Sequence, residues 1–579
     1  MHGGTKMDNY FVSSCKRVKD WICRQFGQKE KKTVHHKKFA DGGEVIVWET
    51  GRAGEEAASY ENLFLRKEIA GFRTNIRREQ SCSIKSLTRD YLYKQLLSSG
   101  EYTFDHMLVI KDPYGEAPLT ALALFILEEP ACVRVTTKGN LKETDFVTEL
   151  PKKKEHRVPI LGMYAEKAND IVIEILDDEG NCVKSHTFTI RTKRLPKSLR
   201  NVITVKKWTD KPAYSNIMIN GGVKIHTCVF DIEGEIRYYR SRKPRGYGIF
   251  PLSDGHFFYM EKYISVPSYS NPQTVESYDM DYFGRVFRTY LTEKGVHHTA
   301  EEKAGGNILT GSNSMLEHTE DCVIEIDRQT GEIVWQLNMA EIFDETYQNM
   351  MDWCHVNSAA YYEKDRTILI SLRNVHAVIC VDYDTKKLRW ILSDPKFWEG
   401  TKMTPYLLQP EGDVKWCYQQ HAAFEIALPD ESNPQKKRII VYDNHWAKRR
   451  KAKSFDKDPL SYVSFYDIDE EKKTVSLHKR FAGPKTRIRA NGIYVPDKRR
   501  VYNMAGSYAE PVDGDGGGIF EYDYETGEVL SEFGVKPGFF RAYPFEPNVQ
   551  ELAEPMQVTG DYQVGQSILP QEISRSKYC

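Results

Sequence analysis

At 579 residues the chain is longer than one typical domain and predicts two to four domains with ample core. Lys+Arg 81 against Asp+Glu 82 leaves a net charge of -1, which excludes the global positive field of a nucleic-acid or anionic-membrane binder. Hydrophobic content is 40%, and no apolar run approaches the roughly 18 residues that span a bilayer, so neither nucleic acid nor a membrane is expected as a partner.

The first forty residues carry ten Lys/Arg against three acids without the apolar centre of a secretory signal, and read as a solvated basic arm. Eleven scattered cysteines suit reduced thiols, so the expected location is cytoplasmic. Within residues 1–100 the arm is followed by helical stretches near 60–69 and 88–97. Residues 101–204 alternate β-rich runs with turn clusters, the pattern of a small β-sandwich.

From residue 205 to 545 a hairpin recurs, in which a strand ends in acidic residues, turns on Gly, Asp or Lys, and returns. Its examples are Val229 to Ile236, Tyr278 to Val286, Ile324 to Trp335, Val381 to Trp390, Phe465 to Val475 and Phe520 to Val529. The first four turns repeat at about fifty residues, within the range of propeller blades. Six hairpins predict an all-β fold with a six-bladed β-propeller behind the sandwich, and residues 546–579 remain as a tail.

Three histidine segments occupy comparable places in successive repeats: Gly295-Val-His-His-Thr299, Asp352-Trp-Cys-His-Val-Asn-Ser358 and Tyr418-Gln-Gln-His-Ala-Ala-Phe424. They are expected to enter inner strands at 307–309, 367–370 and 439–442 from one rim, which would bring His298, His355 and His421 together over the channel. His297 competes with His298, but alternate strand residues face opposite ways, and distance to the following strand selects His298. Ser371-Leu-Arg-Asn374 would carry Arg373 to the same rim, a planar charged fork suited to an oxyanion. Asn357 could donate an amide hydrogen bond to that anion or close its own turn. Trp353, Tyr418 and Phe424 are candidate aromatic walls, whereas His318, His376, His445 and His478 lack the rim placement and read as structural.

These motifs resemble the bacterial aryl sulfate sulfotransferases: the Asp-Trp-Cys-His-Val-Asn-Ser run, Arg373 downstream, Gln-Gln-His-Ala-Ala at 419 to 423, and His-His followed by Gly-Asn-Ile-Leu. The resemblance implies transfer of a sulfuryl group from a phenolic sulfate ester to an acceptor phenol, independent of a nucleotide sulfate donor and without a metal or other cofactor. It makes His421 the nucleophile that is transiently sulfated. His298, His355 and Arg373 hold the sulfuryl oxygens and assist proton transfer, and the kinetics are ping-pong. His445 stands where that family would have a small residue. The chemistry agrees, since attack at sulfur spreads charge that preorganised cations and N–H donors stabilise.

Two other readings remain open on the residues alone. Three histidines could ligate zinc, iron or copper in a metal-dependent hydrolase, or the propeller could be a non-catalytic interaction platform. Association into a homodimer is neither required nor excluded.

Overall fold

The computed structural model describes residues 34–39, 42–57, 81–209, 211–244, 246–264, 273–314, 318–348, 350–427, 433, 435–446 and 458–556. The basic arm before residue 34, the helical stretch near 60–69 and most of the tail lie outside these residues. The helix expected at 88–97 spans Ser81–Ser98.

The sandwich half is one seven-stranded sheet in the order Val34–Lys38, Glu44–Trp48, His106–Lys111, Ala121–Thr137, Ala168–Leu176, Cys182–Arg191, with Phe146–Ile160 also on Ala121–Thr137. Strand Ala121–Thr137 serves two partners on the edge opposite Phe146–Ile160. Its first part pairs with His106–Lys111 and its last part with Ala168–Leu176, and the register shifts between Ile126 and Ala131. Pro130 lies in that break, where a residue without an N–H belongs. Alternating buried Val45/Val47, Met107/Val109, Ala121/Ala123/Phe125 and Ile171/Ile173 build the core between the layers. The sheet includes residues 34–48, outside the 101–204 expected of it.

From residue 203 onward the six hairpins all form, as antiparallel pairs. They sit in five sheets in a propeller-like arrangement. Four sheets have the four or five strands of a blade, and the fifth is a seven-stranded sheet from Gly248–Pro251 to Ile333–Asn338. The expected division into six separate sheets is therefore not observed. The cause is strand Val286–Glu302, which runs unbroken through Gly295, paired mainly on Gln273–Met280 in its first part and on Ile308–Ser312 in its second.

The two chain ends of this half close the ring. Ile203–Lys207 adds to Val529–Val535 as the outer strand of the last sheet, while Arg541–Pro544 adds to Asn216–Asn220 in the first. Helix Ser81–Ser98 ties the halves together through Asp90, which accepts from Arg157 Nη2 at 2.5 Å and Tyr114 Oη at 2.7 Å, with Arg285 Nη1 at 3.7 Å. Burial works against the Asp90 charge, but the two guanidiniums outweigh it and hold the carboxyl below its usual range. Asp90→Ala should cost about 3–5 kcal/mol in denaturant melts, because two buried guanidiniums lose their shared counter-ion. In the wild type this contribution is present above the ordinary carboxylate range and fades as pH falls through the lowered value.

Candidate active site

The histidines do enter strands from one rim, but each strand is one earlier than expected. His298 lies within Val286–Glu302 at the register shift between His297 and Ala300, His355 directly precedes Val356–Tyr362, and His421 stands two residues before Ala423–Ile426. The corresponding strands elsewhere in the ring are preceded by Tyr247, Arg489 and Phe540. The backbone repeats a device there. His298 (φ 58°), His355 (56°), Ala422 (81°), Arg489 (69°) and Ala490 (100°) are all left-handed without being glycine. Each such residue costs about 1–3 kcal/mol, and strain of this kind is retained where it aims side chains at a site.

The three rings converge. The His298 centroid lies 4.7 Å from that of His355 and 6.0 Å from that of His421, with all three residues buried. Tyr247 and Phe540 wall the cluster, at 4.5 and 5.9 Å from His298, and Phe540 stands 5.6 Å from His421. Trp353 is instead fully buried against Phe343, Phe424 joins the next core cluster, and Tyr418 packs on His376 and His445.

Hydrogen-bond partners assign the protons. His421 Nδ1 donates to the Ala490 carbonyl at 2.7 Å, so its Nε2 keeps the lone pair. Burial and the charge of Arg541 push His421 well below the usual histidine value. His297 Nε2 donates to the Ser312 carbonyl at 2.8 Å, leaving its Nδ1 to accept from His298 Nδ1 at 3.2 Å, so His298 Nε2 is also unprotonated. The His297 ring fits only because residue 311 is glycine, where a Cβ would stand 2.6 Å from it. Burial and neighbouring His355 hold His298 well below its usual value.

His355 is the opposite case. Its Nδ1 lies 2.6 Å from Glu320 Oε2 and 2.9 Å from Asp352 Oδ2. Burial opposes its charge, but Asp352 and Glu320 prevail and push it up to about 9, so it is an imidazolium near neutral pH. Arg373 Nη2 and Nη1 donate to the amide oxygens of Gln419 at 3.2 Å and Asn374 at 3.3 Å. Asn357 gives its amide nitrogen to the Gln420 carbonyl at 2.8 Å, and its own carbonyl accepts from Arg541 Nη2 at 2.8 Å. It holds the loop that carries His421.

The arylsulfotransferase (ASST) family profile matches residues 201–541, and its Ig-like domain profile matches residues 108–193. The chain belongs to the arylsulfotransferase family. The arylsulfate sulfotransferase AssT of Lelliottia amnigena is 22% identical, and that of Escherichia coli O6:H1 (strain CFT073) 23% identical, each over 74% of this chain and 90% of theirs. The sandwich is thus this family's Ig-like domain.

Within this arylsulfotransferase, four of the five residues expected from sequence, His298, His355, His421 and Arg373, are buried near one another, and Asn357 supports them. Sequence reasoning missed Glu320, Asp352, Arg541, Tyr247 and Arg489. The last two, with Phe540, were findable, because they hold in other repeats the position the histidines hold in theirs. Glu320 carried no such signal. His376 accepts the Gln419 N–H at Nδ1, and His445 bonds Asp443, so both are structural here. Among the described residues, metal-ligand atoms approach within 4.8 Å in two groups, His297–His298–Glu320 and Glu320–Asp352–His355, neither containing His421. No described helix is long and apolar enough to cross a membrane.

Proposed function

We propose that the protein moves a sulfuryl group from a phenolic sulfate ester to an acceptor phenol by a ping-pong reaction through sulfated His421. The observation that carries this is the His421 Nδ1–H bond to the Ala490 carbonyl, which commits a buried neutral imidazole to present its Nε2 lone pair. Nε2 attacks sulfur, the N–S bond forms as the aryl S–O bond breaks, and the phenolate leaves with a proton from His355. In the second half the acceptor oxygen attacks sulfur, the N–S bond breaks, and the acceptor proton returns by way of His298 Nε2 to His355, whose imidazolium is restored for the next turnover. Arg373, with the His355 imidazolium, lies where sulfuryl oxygens gain charge. Cys132, Cys182, Cys228, Cys322, Cys354, Cys380 and Cys417 are free thiols, which supports the cytoplasmic reading. Counting the seven-stranded sheet as two blades sharing Val286–Glu302 supports a six-bladed ring.

The test is release of 4-nitrophenol from 4-nitrophenyl sulfate, with and without phenol, in chelator and without nucleotide. Phenol-dependent release that survives chelation is expected. Arg373→Lys should slow it by about a hundredfold, since an ammonium cannot reproduce the planar fork. The Glu320–Asp352–His355 group favours a metal-dependent hydrolase as the second reading, which would show acceptor-independent release stopped by chelator.

A further inference from the structure

Arg489 is a charged rim residue that the transfer reaction leaves unused. Its backbone belongs to the catalytic apparatus, because the next residue, Ala490, supplies the carbonyl that holds His421 Nδ1. Both residues are left-handed, so the chain accepts strain at two successive non-glycine positions to place this side chain. Arg489 Nη1 is buried, and among the described residues it has no hydrogen-bond partner and the guanidinium no carboxylate. A buried guanidinium N–H left without an acceptor is costly, and native structures retain such a group for a reason.

The surroundings say what kind of group is missing. The charge of Arg489 acts on Tyr247, the ring 4.5 Å from His298, and on Lys224. Lys224 Nζ donates to the neutral Pro537 carbonyl at 2.7 Å, and among the described residues no carboxylate pairs with it. Burial and the Arg489 charge push the Lys224 ammonium below its ordinary value, and burial does the same to Arg489. Two cations therefore act on each other through space, one of them also on Tyr247 of the wall, and among the described residues neither has a carboxylate partner. Arg373 and Arg541 are the guanidiniums that bear on His421, so the sulfuryl position is served without Arg489.

We propose that Arg489 and Lys224 form a second oxyanion subsite, which makes the preferred substrates phenols, or their sulfate esters, that carry a carboxylate or similar acidic group on the ring. This rests on the sulfuryl-transfer reading for the position of the reacting oxygen, but not for the binding of the acid. With the phenolic oxygen near His421 and His298, the ring lies against Tyr247 and Phe540. Its acidic substituent then meets the guanidinium fork, which bonds a carboxylate through two parallel N–H donors.

Binding and turnover test it separately. Calorimetric titration of the wild type should show 4-hydroxybenzoate or 3-hydroxybenzoate binding at least about tenfold more tightly than phenol, the scale of one charge-assisted hydrogen bond. That preference should collapse about tenfold in Arg489→Gln, persist in part in Arg489→Lys, and weaken with added salt. In turnover, the ratio of kcat/KM for carboxylated over plain aryl sulfate donors, and the same ratio for acceptors, should fall with it and show which substrate uses the subsite. A wild type that binds hydroxybenzoates no better than phenol, or a preference that survives Arg489→Gln, overturns the proposal. Tight hydroxybenzoate binding without transfer from any donor would keep the subsite and overturn the sulfuryl-transfer reading instead.

Discussion

His421→Ala is expected to lose both half-reactions together, by at least about a thousandfold, because the nucleophile and the groups that serve it act as a unit. The variant should release no burst of 4-nitrophenol from 4-nitrophenyl sulfate and should leave no sulfated peptide on acid-sparing digestion. The wild type, quenched before acceptor is added, should carry the sulfuryl group on the peptide containing Gln419, Gln420 and His421. His421→Gly supplies a sharper version, since added imidazole can enter the vacated space and attack sulfur, restoring part of the first half-reaction. A variant lacking only a structural histidine would not respond to imidazole. Retention of wild-type turnover by His421→Ala would exclude a sulfohistidine at this position and move the weight to the Glu320 cluster.

The hairpin rhythm was legible because each turn uses Gly, Asp or Lys between alternating strands, a local signal that survives in every repeat. The convergence of His298, His355 and His421 was legible for the same reason, as one rim position read three times. The strand each enters was misplaced by one, because a short strand such as Ala423–Ile426 has little periodicity and begins on a strained Ala422 that no propensity announces. The joined seven-stranded sheet was hidden because the hairpin rhythm implies separate blades, whereas strand Val286–Glu302 runs on through Gly295. Glu320 was invisible for a different reason. It lies in the connection between the paired strands Ile308–Ser312 and Cys322–Ile326, at φ 56°, and reaches His355 only through the packing of two sheets. Asp352 stood within a recognised motif, yet nothing in the spacing says that its carboxylate bonds the histidine three residues later. Carboxylates that tune a site act through space, and sequence order carries little of that.

Glu320→Gln should therefore be the most damaging change outside the nucleophile, lowering kcat by about a thousandfold near neutral pH. Replacing the carboxylate partner of a catalytic histidine by an amide has costs of this order or larger when it alters the tautomer. Glu320 Oε2 sits 2.6 Å from His355 Nδ1, and its Oε1 accepts from Tyr247 Oη at 3.1 Å and lies 3.7 Å from His298 Nδ1. It thus acts through both histidines, charging one and orienting the other. The distinguishing readout is the pH profile. In the wild type His421 and His298 are already neutral below the usual histidine range, while His355 keeps its proton up to about 9, so the alkaline limb of kcat/KM should fall near 9. With glutamine at 320 only Asp352 supports that charge, and the limb should move toward lower pH. Stability carries the same sign. The folded value of His355 exceeds the ordinary 6.5, so its ion pairs stabilise the fold fully below that value and their contribution is lost as pH rises through about 9. Glu320→Gln should flatten that part of the melting profile. A variant that loses rate with an unmoved alkaline limb would make Glu320 a packing residue, and His355 would then owe its proton to Asp352 alone.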